Sequence, residues 1–178
     1  MGIKQLNGTY VGAQDRILLR VSTDAGEEFR FWLTRLITGK LLAAIHATAA
    51  RTIAQKFSPQ VAQTVAEFER QAVQAQTRLD YKFLAGAILP LGEAPALVVK
   101  LAAAEKADHV SLDLTLPKGN NVNLCLPRHL AQQFGVLLDR LQKNASWGLA
   151  QHSAPAPAAS DAGDTVATTA SSERKILH

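Results

Sequence analysis

"RILLRVSTDAGEEFRFWLTR" (16–35) and "HVSLDLTLPKGNNVNLCLPR" (109–128) lie one over the other without a gap when the chain is slid against itself by 93 positions. Ile17 then meets Val110, Leu19 meets Leu112 and Val21 meets Leu114. Past the turn, Phe29 meets Val122, Phe31 meets Leu124 and Leu33 meets Leu126. In each copy the apolar positions alternate with Arg, Ser, Asp or Asn, the period of a strand with one buried face. Gly26 and Gly119 stand at the same place in the two turns, where a tight hairpin needs positive φ. Each stretch therefore predicts a two-stranded hairpin, and Arg35 and Arg128 close the two phrases alike.

The correspondence continues into a helix. Leu130, Phe134, Leu137, Leu138 and Leu141 recur at the spacing of one amphipathic face. Their counterparts are Ile37, Leu41, Ala44, Ile45 and Thr48, apolar except for the last. Thr34 suits an N-cap and Pro127 a first helical turn. Upstream, 3–12 corresponds to 96–105 and predicts a third strand in each half. Between the halves, Ser58 and Pro59 open a helix along which Val61, Val65, Phe68, Ala72, Ala75 and Leu79 keep a helical period. With the first helix running on through 50–57, this forms a helical hairpin. The stretch 84–95 has enough Gly and Pro to be a loop with at most a short strand.

The expected fold is thus α+β: two pseudo-repeated antiparallel βββα units, about 1–48 and 95–143, joined by a helical segment over 49–94. Residues 1–147 form one globular domain. Residues 148–178, rich in Ala, Pro, Ser and Thr, bury too little surface to offset their ordering entropy and are expected to be disordered.

Composition narrows the class. Apolar residues make up 47% of the 178 and charged residues 19%, enough for a core, and no apolar run reaches the roughly 18 residues that span a bilayer. The first residues lack the layout of a secretory signal. One cysteine, Cys125, excludes an internal disulfide framework and any multi-cysteine metal site. A soluble, cytoplasmic protein is expected. Residues 1–145 carry 17 Lys/Arg against 12 Asp/Glu, so the mild basic excess belongs to the folded part.

Chemistry is sparse. There is no phosphate loop, GxSxG elbow or HExxH. Cys125 lies off the core phase with nothing in the sequence to lower its pKa, and His129 follows at four residues. His109 shares a strand face with Ser111 and Asp113, a possible metal corner without a third ligand. The carboxylate pairs Glu27–Glu28 and Glu67–Glu69 read as solvated turn and helix charges. No catalytic residue, metal or cofactor is assigned.

One constellation stands out. The non-core phase of the first hairpin carries Leu18, Arg20, Ser22, Glu28, Arg30 and Trp32, with Lys4 and Tyr10 joining if the first strand presents them on that side. Two arginines beside a tryptophan on an open sheet suit stacked bases and phosphates. The plainer reading is cross-strand Arg–Glu pairing around a Trp packed beneath the helical hairpin. The second-half face, with Ser111, Asp113, Thr115, Asn121, Asn123 and Cys125, is neither basic nor aromatic.

The passage "LCLPRHLAQQFGVLLDRL" (124–141) is similar to the strand-to-helix passage of a PUR repeat. The layout of two meanders, each followed by a helix, resembles PUR-repeat and Whirly-type single-strand-binding proteins. Those families use four strands per unit and basic, aromatic sheets in both repeats, whereas three strands and one neutral sheet are read here. No residue role is carried across. The expected function is a non-enzymatic, soluble, bacterial-type interaction or adaptor module. It works through a protein partner or by self-association as a dimer, without a membrane. The alternative is a single-stranded nucleic-acid binder using Arg20, Arg30, Trp32, Tyr10 and Lys4.

Overall fold

The computed structural model describes residues 2–54, 57–76, 83–106 and 108–149. The chain is mixed α+β. Strands β1 (Ile3–Val11), β2 (Arg16–Thr23) and β3 (Glu28–Leu33) precede helices α1 (Arg35–Ala54) and α2 (Pro59–Gln76). Strands β4 (Ala96–Leu97), β5 (Lys100–Glu105), β6 (His109–Thr115) and β7 (Asn121–Pro127) follow, then helix α3 (Arg128–Asn144). Among the described residues one sheet has the order β1-β2-β3-β4 and the other β5-β6-β7.

Both hairpins form as the alternation predicts. Ile17 faces Leu33 and Leu19 faces Phe31 across β2 and β3. Val110 faces Leu126 and Leu112 faces Leu124 across β6 and β7. Gly26 at φ 77° and Gly119 at φ 80° supply the left-handed turn residues. One face of each hairpin is sealed: Ile17, Leu19, Phe31, Leu33, Leu112 and Leu126 are fully buried, and Leu124 retains 2% exposure. Burying each such side chain is worth roughly 1.5–3 kcal/mol relative to leaving it in water, so the phase of both hairpins is firmly set.

The third strand departs from expectation in two ways. Residues 96–105 do not form one strand of one sheet. Ala96 and Leu97 pair in parallel with Phe31 and Trp32 of β3, while Lys100–Glu105 pair antiparallel with β6. At the change-over the Val98 amide donates to the Trp32 carbonyl at 3.1 Å and the Val99 amide to the Thr115 carbonyl at 2.9 Å. A single stretch of chain thus bridges the two sheets, and Val98 is buried where they meet. The spacing also slips. Val21 and Leu114 are 93 apart, yet their outer-strand partners Leu6 and Leu101 are 95 apart. The connections differ: a 3-10 turn over Gly12–Gln14 followed by Asp15 at φ 47° joins β1 to β2. The β5–β6 connection is tighter, closed by the Lys106 amide on the His109 carbonyl.

The helices cross between the sheets. α3 packs on β1 as well as on β6 and β7, and α1 packs on β5 as well as on β3. Gly8 shows how closely: a Cβ built there would lie 2.5 Å from a Leu141 methyl. One apolar core results, joining both hairpins to Ile37, Leu41 and Ile45 of α1, Phe134, Leu138 and Leu141 of α3, and Trp147. Thr34 caps α1, its hydroxyl accepting from the Ile37 amide at 3.3 Å. Pro127 sits outside the first helical turn expected for it, at the N-cap of α3.

Trp147 extends the core beyond the last helix. It is 4% exposed, meets Tyr10 edge-to-face at 5.7 Å and donates its indole N–H to Asp15 at 2.7 Å. Leu149 also packs on the core, and its amide donates to the Gln142 side chain at 3.2 Å. The fold therefore includes Gly148 and Leu149, assigned above to the tail; the remainder of the expected disordered tail lies outside the described residues.

Candidate functional site

Register decides which of the proposed binding residues share a face. Arg20 pairs directly opposite Arg30, Leu18 opposite Trp32 and Ser22 opposite Glu28, so Arg20, Arg30 and Trp32 do lie together on the outer side of the first sheet. Tyr10 does not join them. It is paired with Ile17, which puts it on the core side, where its hydroxyl donates to Asp15 at 2.9 Å. Lys4 is exposed at the irregularity between Ile3 and Gln5, where the β1 register shifts. The β1 residues on the arginine side are Gln5, Asn7 and Thr9, opposite Ser22, Arg20 and Leu18.

The two arginines converge on one carboxylate. The Nε of Arg20 donates to Glu28 Oε1 at 2.8 Å and the Nε of Arg30 to the same oxygen at 2.7 Å. Glu28 is 1% exposed, which corrects its reading as a solvated turn charge. Glu67 and Glu69, by contrast, are exposed as that reading expects. Burial pushes the Glu28 carboxyl up, but the hydrogen bonds and charges of Arg20 and Arg30 outweigh it and hold it below the usual 4.5.

What buries Glu28 is the segment 83–93, which crosses the outer face as a strap. The Leu84 amide donates to the Gln5 side chain at 3.0 Å, and the Gly86 amide donates to Glu28 Oε2 at 3.1 Å. The Glu28 amide donates to the Ile88 carbonyl at 2.8 Å, and the Ile88 amide to the Gly26 carbonyl at 3.2 Å. Arg30 donates to the Glu93 carbonyl at 3.1 Å, and the Arg20 guanidinium lies 4.2 Å from the centre of the Phe83 ring. The cross-strand Arg–Glu reading thus describes this face, with the strap lying over it. Sequence reasoning missed the strap because its contacts are mostly backbone amides reaching residues about sixty positions away.

The second outer face is open and differently made. Asp113, Asn121, Asn123 and Cys125 are exposed. The Asn123 amide group donates to Ser111 at 2.8 Å and to Asp113 at 2.6 Å, and the Cys125 thiol donates to Asn123 at 3.1 Å. His109 does not turn toward Asp113; its Nδ1 lies 2.6 Å from Asp108, whose carboxyl that contact holds below its ordinary range. Among the described residues no three His, Cys, Asp or Glu side chains come together to hold a metal. His129 is exposed.

A cavity between α1, α2, α3 and β6, lined by Ile45, Thr48, Glu69, Val110, Arg128 and Gln132, encloses about 60 Å³. That is several-fold smaller than the roughly 300 Å³ at which small-molecule sites begin. At its rim Arg128 lies 3.4 Å and Arg51 3.5 Å from Glu105. Arg35, the counterpart of Arg128 in the first phrase, is exposed.

Among the described residues the most exposed large apolar side chains are Phe68 of α2, Leu36 of α1, and Ile88 and Leu84 of the strap. Phe68 is 72% exposed and Val61 47%, and Phe57, just ahead of the helix, is 43% exposed. The helix rests on α1 and α3, with Ala62, Val65, Ala66, Ala72 and Val73 half-buried. The single helical stripe read from the sequence is therefore divided: Val65 and Ala72 turn inward, while Val61, Phe68 and Ala75 turn outward, and Leu79 lies outside the described residues. No described helix is long and apolar enough to cross a membrane.

No family model, curated protein or solved structure matches the chain.

Proposed function

We propose that this chain is a non-enzymatic protein-interaction module whose working surface is the outward side of α2, carried on a scaffold of two βββα units. The observation that carries this reading is Phe68. An aromatic ring 72% exposed on a helix, with Val61 one heptad earlier at 47%, is apolar surface that the other described residues leave open to a partner.

The duplication within the scaffold is supported by the β2–β3 and β6–β7 pairings, which share one register at an offset of 93 residues. Phe31 and Leu124 are both buried on the last strand before a helix. The nucleic-acid alternative has less support, because the Nε donors of Arg20 and Arg30 are already engaged by Glu28 and the strap lies over them.

A photo-reactive phenylalanine analogue at position 68, illuminated in extract of the native host, is expected to yield a protein adduct, whether with another protein or with a second copy. Labelled single-stranded DNA or RNA at low salt is expected to show no retention. A salt-sensitive oligonucleotide complex that Arg20→Glu/Arg30→Glu abolishes, with no protein adduct at position 68, overturns the reading in favour of the alternative.

A further inference from the structure

We infer that the strap 83–93 is a built-in competitor for a second binding site, in which Arg20, Arg30 and Ser22 of the first sheet hold a small aromatic phosphate of the nucleotide kind. Strap and ligand exclude each other, and the site lies on a different face from the outward side of α2.

The strap's own contacts show what this floor accepts. Phe83 sets an aromatic ring 4.2 Å from the Arg20 guanidinium, and a guanidinium plane receives a nucleobase in the same way. The Glu93 carbonyl sets an oxygen acceptor on Nη1 of Arg30 at 3.1 Å. A ring on one arginine and an oxygen on the other are the two halves of an aromatic anion, here supplied by the chain itself.

The strap leaves donors over. Each arginine gives its Nε to Glu28 Oε1, which fixes both forks and leaves their outer nitrogens to other partners. Among the described residues the two terminal nitrogens of Arg20 carry no hydrogen bond. Ser22 follows Arg20 on the same side of β2, opposite Glu28. It is 3% exposed, and among the described residues its hydroxyl has no hydrogen-bond partner. A buried hydroxyl that the fold does not satisfy is uncommon and points to a partner other than the strap.

Charge and donor count select the anion. Two guanidinium groups against one carboxylate leave one positive charge, which favours an anion over a neutral ring. Arg20, Arg30 and Ser22 supply three separate donors, more than the two oxygens of a carboxylate and as many as the free oxygens of a phosphate monoester.

Displacing the strap costs little apolar burial. Its Leu84 and Ile88 side chains are 54% and 55% exposed, while Leu91 packs on the core and anchors the far end. What holds the near end is polar: the Leu84 amide on Gln5 and the Gly86 amide on Glu28.

Isothermal titration calorimetry of the full chain at constant ionic strength, with AMP as the probe, tests this. Phe83→Ala removes the competing ring, and Gly86→Ala forces the strap off through its clash with the Glu27 and Glu28 backbone. Each is expected to bind AMP about tenfold more tightly than the wild type, as when the uncovered state is about one-tenth populated in the intact chain. Ser22→Ala added to Phe83→Ala is expected to leave stability unchanged, because the hydroxyl makes no bond beneath the strap, and to weaken AMP binding about fivefold. Arg20→Gln added to Phe83→Ala is expected to abolish it. Adenosine and inorganic phosphate, titrated separately, are each expected to bind far more weakly than AMP.

AMP that binds neither opened variant, or binds both no better than the wild type, overturns the inference, as does binding that survives Arg20→Gln. Inorganic phosphate that binds as tightly as AMP refutes the ring's place on Arg20. An oligodeoxyadenylate that binds the opened variants far more tightly than AMP refutes the free nucleotide and reassigns the site to single-stranded nucleic acid.

Discussion

Glu28 accepts three hydrogen bonds through its two oxygens, from Arg20, Arg30 and the Gly86 amide. Removing it leaves two guanidinium groups facing each other without a counter-ion and an amide without its acceptor. The arginine side chains keep 27% and 28% exposure, so water offsets part of the loss. The cost of Glu28→Ala falls between that of an exposed and a fully buried pair, about 2 kcal/mol.

The pH dependence has a definite sign. The folded-state pKa is lowered from 4.5, so the ionised carboxylate stabilises the fold above that value, and the contribution disappears as pH falls through the lowered pKa. Urea midpoints at pH 6 and pH 3 are expected to fall further for the wild type than for Glu28→Gln. Equal falls would mean that the triplet contributes nothing. No local pattern revealed this burial: Glu27 and Glu28 sit side by side beyond a glycine turn, and only a segment remote in sequence separates their fates. Gly26, Gly119 and Thr34 were legible because their roles depend on backbone geometry within a few residues.

Among elements, legibility followed the same rule. The alternation in 16–33 and 109–126 placed four strands and their buried faces, because a one-residue slip would turn every core side chain to water. The outer strands were harder to place. β1 carries half-buried residues along most of its length, so its phase, and with it the side taken by Tyr10, was open. β4 and β5 share one stretch of chain whose division between two sheets depends on partners outside that stretch.

The strap is an element of this second kind. A Cβ at Gly86 would lie 2.6 Å from the Glu27 carbonyl carbon and 2.7 Å from both the Glu28 amide nitrogen and the Gly26 carbonyl oxygen. Those are backbone atoms that cannot swing aside. Gly86→Ala is expected to displace the strap at a cost of about 1–3 kcal/mol and to speed proteolytic cleavage within 83–93. Unchanged stability and cleavage would show that the strap is not seated on Glu28.

At the scale of the molecule, the two sheets, the crossed helices and Trp147 form one core from residues distant in sequence. Asp15 receives the indole N–H of Trp147, 132 positions further along the chain. This closure consumes the inner faces of both sheets and the strap covers part of one outer face, while among the described residues Phe68 on α2 stays exposed. The helical period of Val61, Val65, Phe68, Ala72 and Ala75 was legible in the sequence, but its division into inward and outward sides depended on where α1 and α3 lie.

A photo-reactive phenylalanine analogue placed in turn at position 68 on α2 and at position 125 on the second outer face, both exposed, tests that assignment most directly. Protein adducts in extract of the native host at position 68 and none at position 125 are the predicted result. Adducts at position 125 alone, or none at position 68, would contradict it.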